Sequence, residues 1–148
     1  MSAYRRSIRL GPLLLGVLLL GGCGRGGGVA KSELPSDQQH ILKVASLCAQ
    51  YKRENRAKLP TSIDELKAFA KKLSKEKQKQ YGVDDVEKMF ISPRDNQPYG
   101  INNTGSEHAG MTKILVYEQV GVNGKRMTAS SLGTAQEVDE DEFRRWVK

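Results

Sequence analysis

The hydrophobic positions change spacing several times along the chain. Leu10 to Leu20 (LGPLLLGVLLL) is an uninterrupted apolar run, and Gly24 to Ser32 (GRGGGVAKS) is Gly-rich without periodicity. Ile41, Val44, Ala45, Cys48 and Tyr51 then recur at helical spacing with Leu47 beside them, predicting a helix from Asp37 to about Ala57. Ser36 with Gln39 three residues on reads as its capping box, and Leu59-Pro60 stops it. A second box, Ser62 with Glu65, opens a second helix with the stripe Ile63, Leu66, Phe69, Ala70 and Leu73, and Gly82 ends it. From Val83 the helical period is lost. Val86 to Ile91 is a short apolar stretch before the turn-rich Ser92 to Pro98, and residues 102–111 form a polar loop. Lys113 to Val122 is rich in β-branched and aromatic residues, Asn123-Gly124 is a two-residue hairpin signal, and Lys125 to Ser130 is the returning strand. Leu132 to Val138 adds a third short strand. Asp139 caps a last helical turn that Phe143, Trp146 and Val147 would dock, with acids at its start and Arg144, Arg145 and Lys148 at its end, as the helix dipole favours. Two N-terminal helices followed by a small antiparallel sheet with an Asn-Gly hairpin and a short C-terminal helix make an α+β class.

The N-terminal run has its own meaning. A hydrocarbon span takes about 20 apolar residues, so Leu10–Leu20 is too short for one. Behind Arg5, Arg6 and Arg9 it has the layout of an export signal: a cationic head, then an apolar core. Leu20-Gly21-Gly22-Cys23 resembles the bacterial lipobox, a Leu, two small residues and a Cys. The resemblance implies cleavage between Gly22 and Cys23, a diacylglycerol thioether on the Cys23 sulfur and acylation of the new amino group. Two or three acyl chains anchor stably where one does so only marginally. The expected organisation is a signal peptide at 1–22, a lipidated Cys and flexible tether at 23–35, and one domain at 36–148. The expected location is a membrane surface on the exported side. Gly24, rather than an Asp, follows Cys23, which favours the outer membrane over the cell membrane. With Cys23 carrying lipid, Cys48 has no partner for an internal disulfide and reads as a small buried hydrophobe.

The 148 residues bound the chain to one small domain with appendages, and the formal charge of +7 is unevenly placed. Residues 43–79 hold eleven basic and four acidic residues, whereas residues 80–148 hold eight basic and eleven acidic. Lys67, Lys71, Lys72, Lys75, Lys77 and Lys79 concentrate around the second helix, as a solvated face or, with Lys67, Lys71, Lys72 and Lys75 in front, as an anionic-surface contact. Export, and the absence of aromatics among these lysines, argue against nucleic acid.

Three stretches carry a further likeness: Tyr51-Lys52-Arg53-Glu54-Asn55, Leu59 to Leu66 (LPTSIDEL) and Asn96-Gln97-Pro98-Tyr99. On these, residues 38–130 resemble the globular head of a type II secretion major pseudopilin. The likeness implies a helix running into a second helical segment, a loop ending in Pro-Tyr and a small antiparallel sheet. Ser92 to Tyr99 (SPRDNQPY), with Tyr117-Glu118 and Gly121 to Arg126 (GVNGKR), also resembles a group of uncharacterised bacterial envelope proteins, for which no activity is implied. Two departures separate the chain from pseudopilins. A lipobox stands where they carry a long polymerising helix, and Asp95 falls three places late for their calcium ligand.

Candidate chemistry is sparse. Two histidines 68 positions apart and no paired Cys fall short of zinc ligation, and no nucleophile elbow, P-loop or dinucleotide fingerprint is present. The acids from Glu137 to Glu142 read as a solvated helix start. Arg94 and Tyr99 offer a contact loop, or else Pro98-Tyr99 simply closes that loop into the sheet. The expected function is therefore a non-catalytic, lipid-anchored envelope module. Its partner would be another envelope protein, and it would use no metal, no cofactor beyond the Cys23 lipid and no small-molecule substrate. A basic membrane-surface module is the alternative, and a hydrolase comes after both.

Overall fold

The computed structural model describes residues 34–103 and 113–147, so the expected signal peptide, Gly22, Cys23, the expected tether up to residue 33 and His108 lie outside the described residues. Helix α1 (Ser36–Glu54) is followed by α2 (Ile63–Lys72), α3 (Lys75–Gln80) and α4 (Val86–Met89). Strands β1 (Tyr99–Ile101), β2 (Ile114–Glu118), β3 (Lys125–Ser130) and β4 (Ala135–Asp139) then lead into α5 (Glu140–Trp146). The strands form one antiparallel sheet in the order β1-β2-β3-β4, and α1 packs across it.

Ile41, Val44, Leu47 and Cys48 of α1 are fully buried in one cluster with Leu66 and Ala70 of α2, Phe90, Val116, Met127 and Ala129. The register puts Tyr99, Glu118, Met127 and Glu137 side by side on this inner face. The outer face carries Gly100, Tyr117, Thr128 and Arg126. There Phe143 of α5 meets the Tyr117 ring edge-on at 5.1 Å, and the Arg126 guanidinium lies 4.3 Å over the Phe143 ring. Gly100 is required beneath Tyr117, because a Cβ there would stand 2.3 Å from the ring. All of this belongs to the unit Glu33–Lys148, which carries its own core.

Three local expectations need correction. Ser36 is the first residue of α1 rather than its cap. Pro35 holds the capping position without a side-chain bond, and the Gln39 amide donates instead to the Leu34 carbonyl at 2.6 Å. The helix expected from Ser62 to Gly82 breaks at Leu73-Ser74. Leu73 turns extended to keep its side chain buried, the Ser74 hydroxyl accepts from the Lys77 amide to start α3, and Gln78 donates to the Ala70 carbonyl at the end of α2. Four helices, not two, therefore precede the sheet among the described residues. The third correction is an added strand, because Tyr99–Ile101 pairs with β2 as an edge strand. At Asn123-Gly124 both φ angles are positive, +53° and +73°, and Val122 and Lys125 exchange backbone hydrogen bonds of 2.8 and 3.0 Å, the turn these residue types favour.

Candidate functional site

The Ser92–Tyr99 loop is held from beneath by the sheet. Its centre is Glu118, the last residue of β2, whose side chain is 1% exposed. Glu118 Oε1 accepts from the Ser92 hydroxyl at 2.7 Å, and Oε2 accepts from the Met127 amide at 2.8 Å. The Arg94 guanidinium, 15% exposed, has Nη1 at 3.6 Å from Glu118 Oε2 and Nη2 at 2.5 Å from Glu137 on β4, and Nε lies 3.9 Å from Asp37 in the first turn of α1. One cation thus faces three carboxylates from three elements. Nη1 is buried without a hydrogen bond, at ion-pair distance only. The Ser92 hydroxyl also accepts from the Arg94 amide at 3.1 Å, which fixes the loop's own turn.

Asp95 completes the fastening. One carboxylate oxygen accepts from the Gln97 amide at 3.0 Å and the other from the Gly121 amide at 2.8 Å. Partial burial works against its ionisation, but those amide hydrogens outweigh it and hold the carboxyl below its ordinary range. Both carboxylate oxygens are therefore turned onto backbone. Among the described residues no group of three or more His, Cys, Asp and Glu is arranged to hold a metal ion.

Tyr99 opens β1 and is 1% exposed, so its ring packs inward instead of being displayed for contact. Its hydroxyl lies 3.0 Å from His40 Nδ1, and burial holds the phenol well above its usual range. Burial, then the Lys43 charge, lower the His40 proton affinity. Arg94 and Tyr99 therefore close and brace the loop.

The lysines of the second helical segment have different surroundings from one another. Lys67 and Lys71 both pair with Glu87 of α4, at 3.1 and 2.8 Å, and these lysines, Lys71 first, keep the Glu87 carboxyl low. Lys75 donates to Gln78 at 3.2 Å, and Lys72 is exposed at the end of α2. Lys77, in the same run, pairs with Glu54 of α1 at 2.9 Å. That bond sets α3 against the outer stripe of α1, where Tyr81 also donates to Gln50 at 2.8 Å. Between the two helices runs an open groove of about 510 Å³. Gln39, Leu42, Lys43 and Ser46 of α1 line one wall, and Lys79, Gln80, Tyr81 and Gly82 line the other.

Cys48 is fully buried and free, and desolvation pushes its thiol up to about 12. In a chain beginning at Gly24, and so lacking Cys23, it is expected to resist a disulfide reagent at pH 8 while folded and to react fully on denaturation. Full reaction of the native chain within minutes would contradict this burial.

No helix among the described residues is long and apolar enough to cross a membrane. No family model, curated protein or solved structure matches the chain.

Proposed function

We propose that the chain is a non-catalytic, lipid-anchored protein of the bacterial cell envelope, holding a small α+β contact module at a membrane surface. The observation that carries this reading is the order of the N-terminal residues: a cationic head, an eleven-residue apolar run and Leu20-Gly21-Gly22-Cys23. A folded domain then begins about a dozen positions after the cysteine, its first helix at Ser36. Cys23 is the lipid-bearing residue, Gly22 the residue before the cut, and the outer membrane the favoured destination. The lipid holds the domain to the bilayer without a protein span.

The internal use of the polar residues supports a non-catalytic role. Ser92, the serine of the SPRD stretch, is buried and committed to Glu118. Arg94, Asp95 and Glu118 are spent on holding the loop to the sheet. The resemblance to a pseudopilin head favours a setting in a secretion or pilus-like assembly, with another envelope protein as partner.

Cys23→Ser tests the anchor. Replacing the sulfur is expected to abolish metabolic labelling with fatty acid and to move the protein from the membrane to the soluble fraction. Unchanged labelling or unchanged membrane retention would overturn the reading.

A further inference from the structure

The groove between α1 and α3 is a concavity whose described lining pairs two cations with no carboxylate. Lys43 stands on one wall and Lys79 on the other. The remaining lining consists of amides, a serine, a leucine, a glycine and a tyrosine. Among the described residues neither lysine forms an ion pair with an acid. The nearby lysines differ, since Lys67 and Lys71 are taken by Glu87, and Lys77 by Glu54. The nearest acid on α1's outer stripe, Glu54, is therefore already neutralised. Exposed Lys52 and Arg53 continue the positive charge along the last turn of α1. Tyr81 and Leu42 add an amphipathic ring and an apolar floor, of the kind that settles at a headgroup boundary.

We propose that this α1–α3 groove is a docking surface for an anionic lipid bilayer, with Lys43, whose side chain reaches across to Gly82, and Lys79 together meeting headgroup phosphates. The proposal moves the basic contact away from Lys67 and Lys71, which Glu87 holds within the fold, to Lys43 and Lys79, which form no ion pair among the described residues. It rests on the lipid-anchor reading for its location. Ser36 lies thirteen positions after Cys23, a reach of up to ~45 Å when extended. The whole of α1 is only ~28 Å long. A bilayer holding the Cys23 lipid is therefore within reach of any part of the groove, at the high effective concentration that a short tether provides. Each lysine at an anionic surface strengthens binding about fivefold.

The test uses the chain from Gly24 to Lys148, which retains the complete core and carries no lipid, so that it succeeds or fails independently of acylation at Cys23. Binding is measured by co-sedimentation with vesicles of phosphatidylcholine alone or mixed with phosphatidylglycerol, at low and at physiological salt. Binding to the anionic vesicles only, weakening as salt rises, is expected. Lys43→Gln with Lys79→Gln is expected to weaken it about 25-fold. Lys67→Gln with Lys71→Gln, which removes the same formal charge, is expected to change it less than threefold. Circular dichroism confirms that both pairs of variants fold. Equal losses from the two pairs would mean that net charge alone acts, and would overturn the groove assignment. No binding to anionic vesicles would overturn the proposal and leave an acidic protein as the groove's remaining occupant. If Cys23→Ser leaves fatty-acid labelling unchanged, the anchor reading fails separately, whatever the vesicles report.

Discussion

Replacing Glu118 with alanine is expected to cost about 3–5 kcal/mol, the usual penalty for removing one partner of a buried ion pair. It would lower the unfolding midpoint of a domain this size by on the order of 15 °C. The loss has three parts, all visible at one side chain. The Ser92 hydroxyl and the Met127 amide lose their acceptors at 2.7 and 2.8 Å, and Arg94 loses the carboxylate beside its buried Nη1. Glu118→Gln keeps the shape and one acceptor, so a smaller loss of about 1–3 kcal/mol is expected. Glu137→Gln touches the same guanidinium from a half-exposed position, where the ion pair is worth less than about 1 kcal/mol. Thermal denaturation of the three variants gives the ranking. If Glu118→Ala costs no more than Glu137→Gln, then Glu118 is not what holds the loop to the sheet.

That ranking bears on how the sequence can be read. Glu118 follows Val116 at a spacing of two, and strand alternation therefore puts it on the core face. The signal was present, but a glutamate at the end of a strand reads first as a solvated residue. Its partners come from Ser92 and Arg94, more than twenty positions earlier, and from Met127 on the next strand, so nothing local announces that its charge is compensated. Arg94 misleads for the same reason: beside a proline in a polar loop it looks like a surface contact until Asp37, Glu118 and Glu137 close around it. The stretches SPRDNQPY, Tyr117-Glu118 and GVNGKR, far apart in sequence, meet in the fold. Ser92 bonds Glu118, Asp95 bonds Gly121, and Arg126 donates to the Gln119 carbonyl, so the separate stretches form one fastening.

Where interactions are local, residue identity was enough. The apolar stripe of α1 and the Asn-Gly turn follow from spacing and backbone preference alone. The Ser62–Glu65 box needed one adjustment. Ser62 accepts from the Glu65 amide as expected, but the Glu65 carboxylate reaches back to the amide and hydroxyl of Thr61 and also accepts from Tyr51 of α1. The break at Ser74 was not legible, because Lys75 to Gln80 is good helical sequence. What ends α2 is Leu73 turning into the core, a demand of packing that overrides propensity. The same break creates α3 and with it the groove, so lysine spacing showed Lys79 in a basic cluster but not its place beside Lys43.

Gly121 offers the sharpest test of the fastening from its other end. A Cβ at this position would lie 2.3 Å from the Lys125 carbonyl oxygen and 2.9 Å from its carbon, both backbone atoms of the facing strand. The residue also holds φ at +80°, a region costing an L-residue about 1–2 kcal/mol. Crowding against backbone adds about 1–3 kcal/mol, so Gly121→Ala is expected to destabilise by about 3 kcal/mol. Gly124→Ala provides the control, since Gly124 has φ +73° with nothing within 4 Å of its would-be Cβ, leaving about 1 kcal/mol of backbone strain. Denaturant titration of both variants separates crowding from strain, and equal losses would remove the close approach from the account. The excess at Gly121 has a place to go, because its amide donates to Asp95. Moving the hairpin off Lys125 pulls that donor away from the loop, so Gly121→Ala should also speed amide exchange at Gln97, whose hydrogen is held by the same carboxylate. Gly124→Ala should leave that amide protected. The hairpin and the Ser92–Tyr99 loop then open as one cooperative unit rather than two.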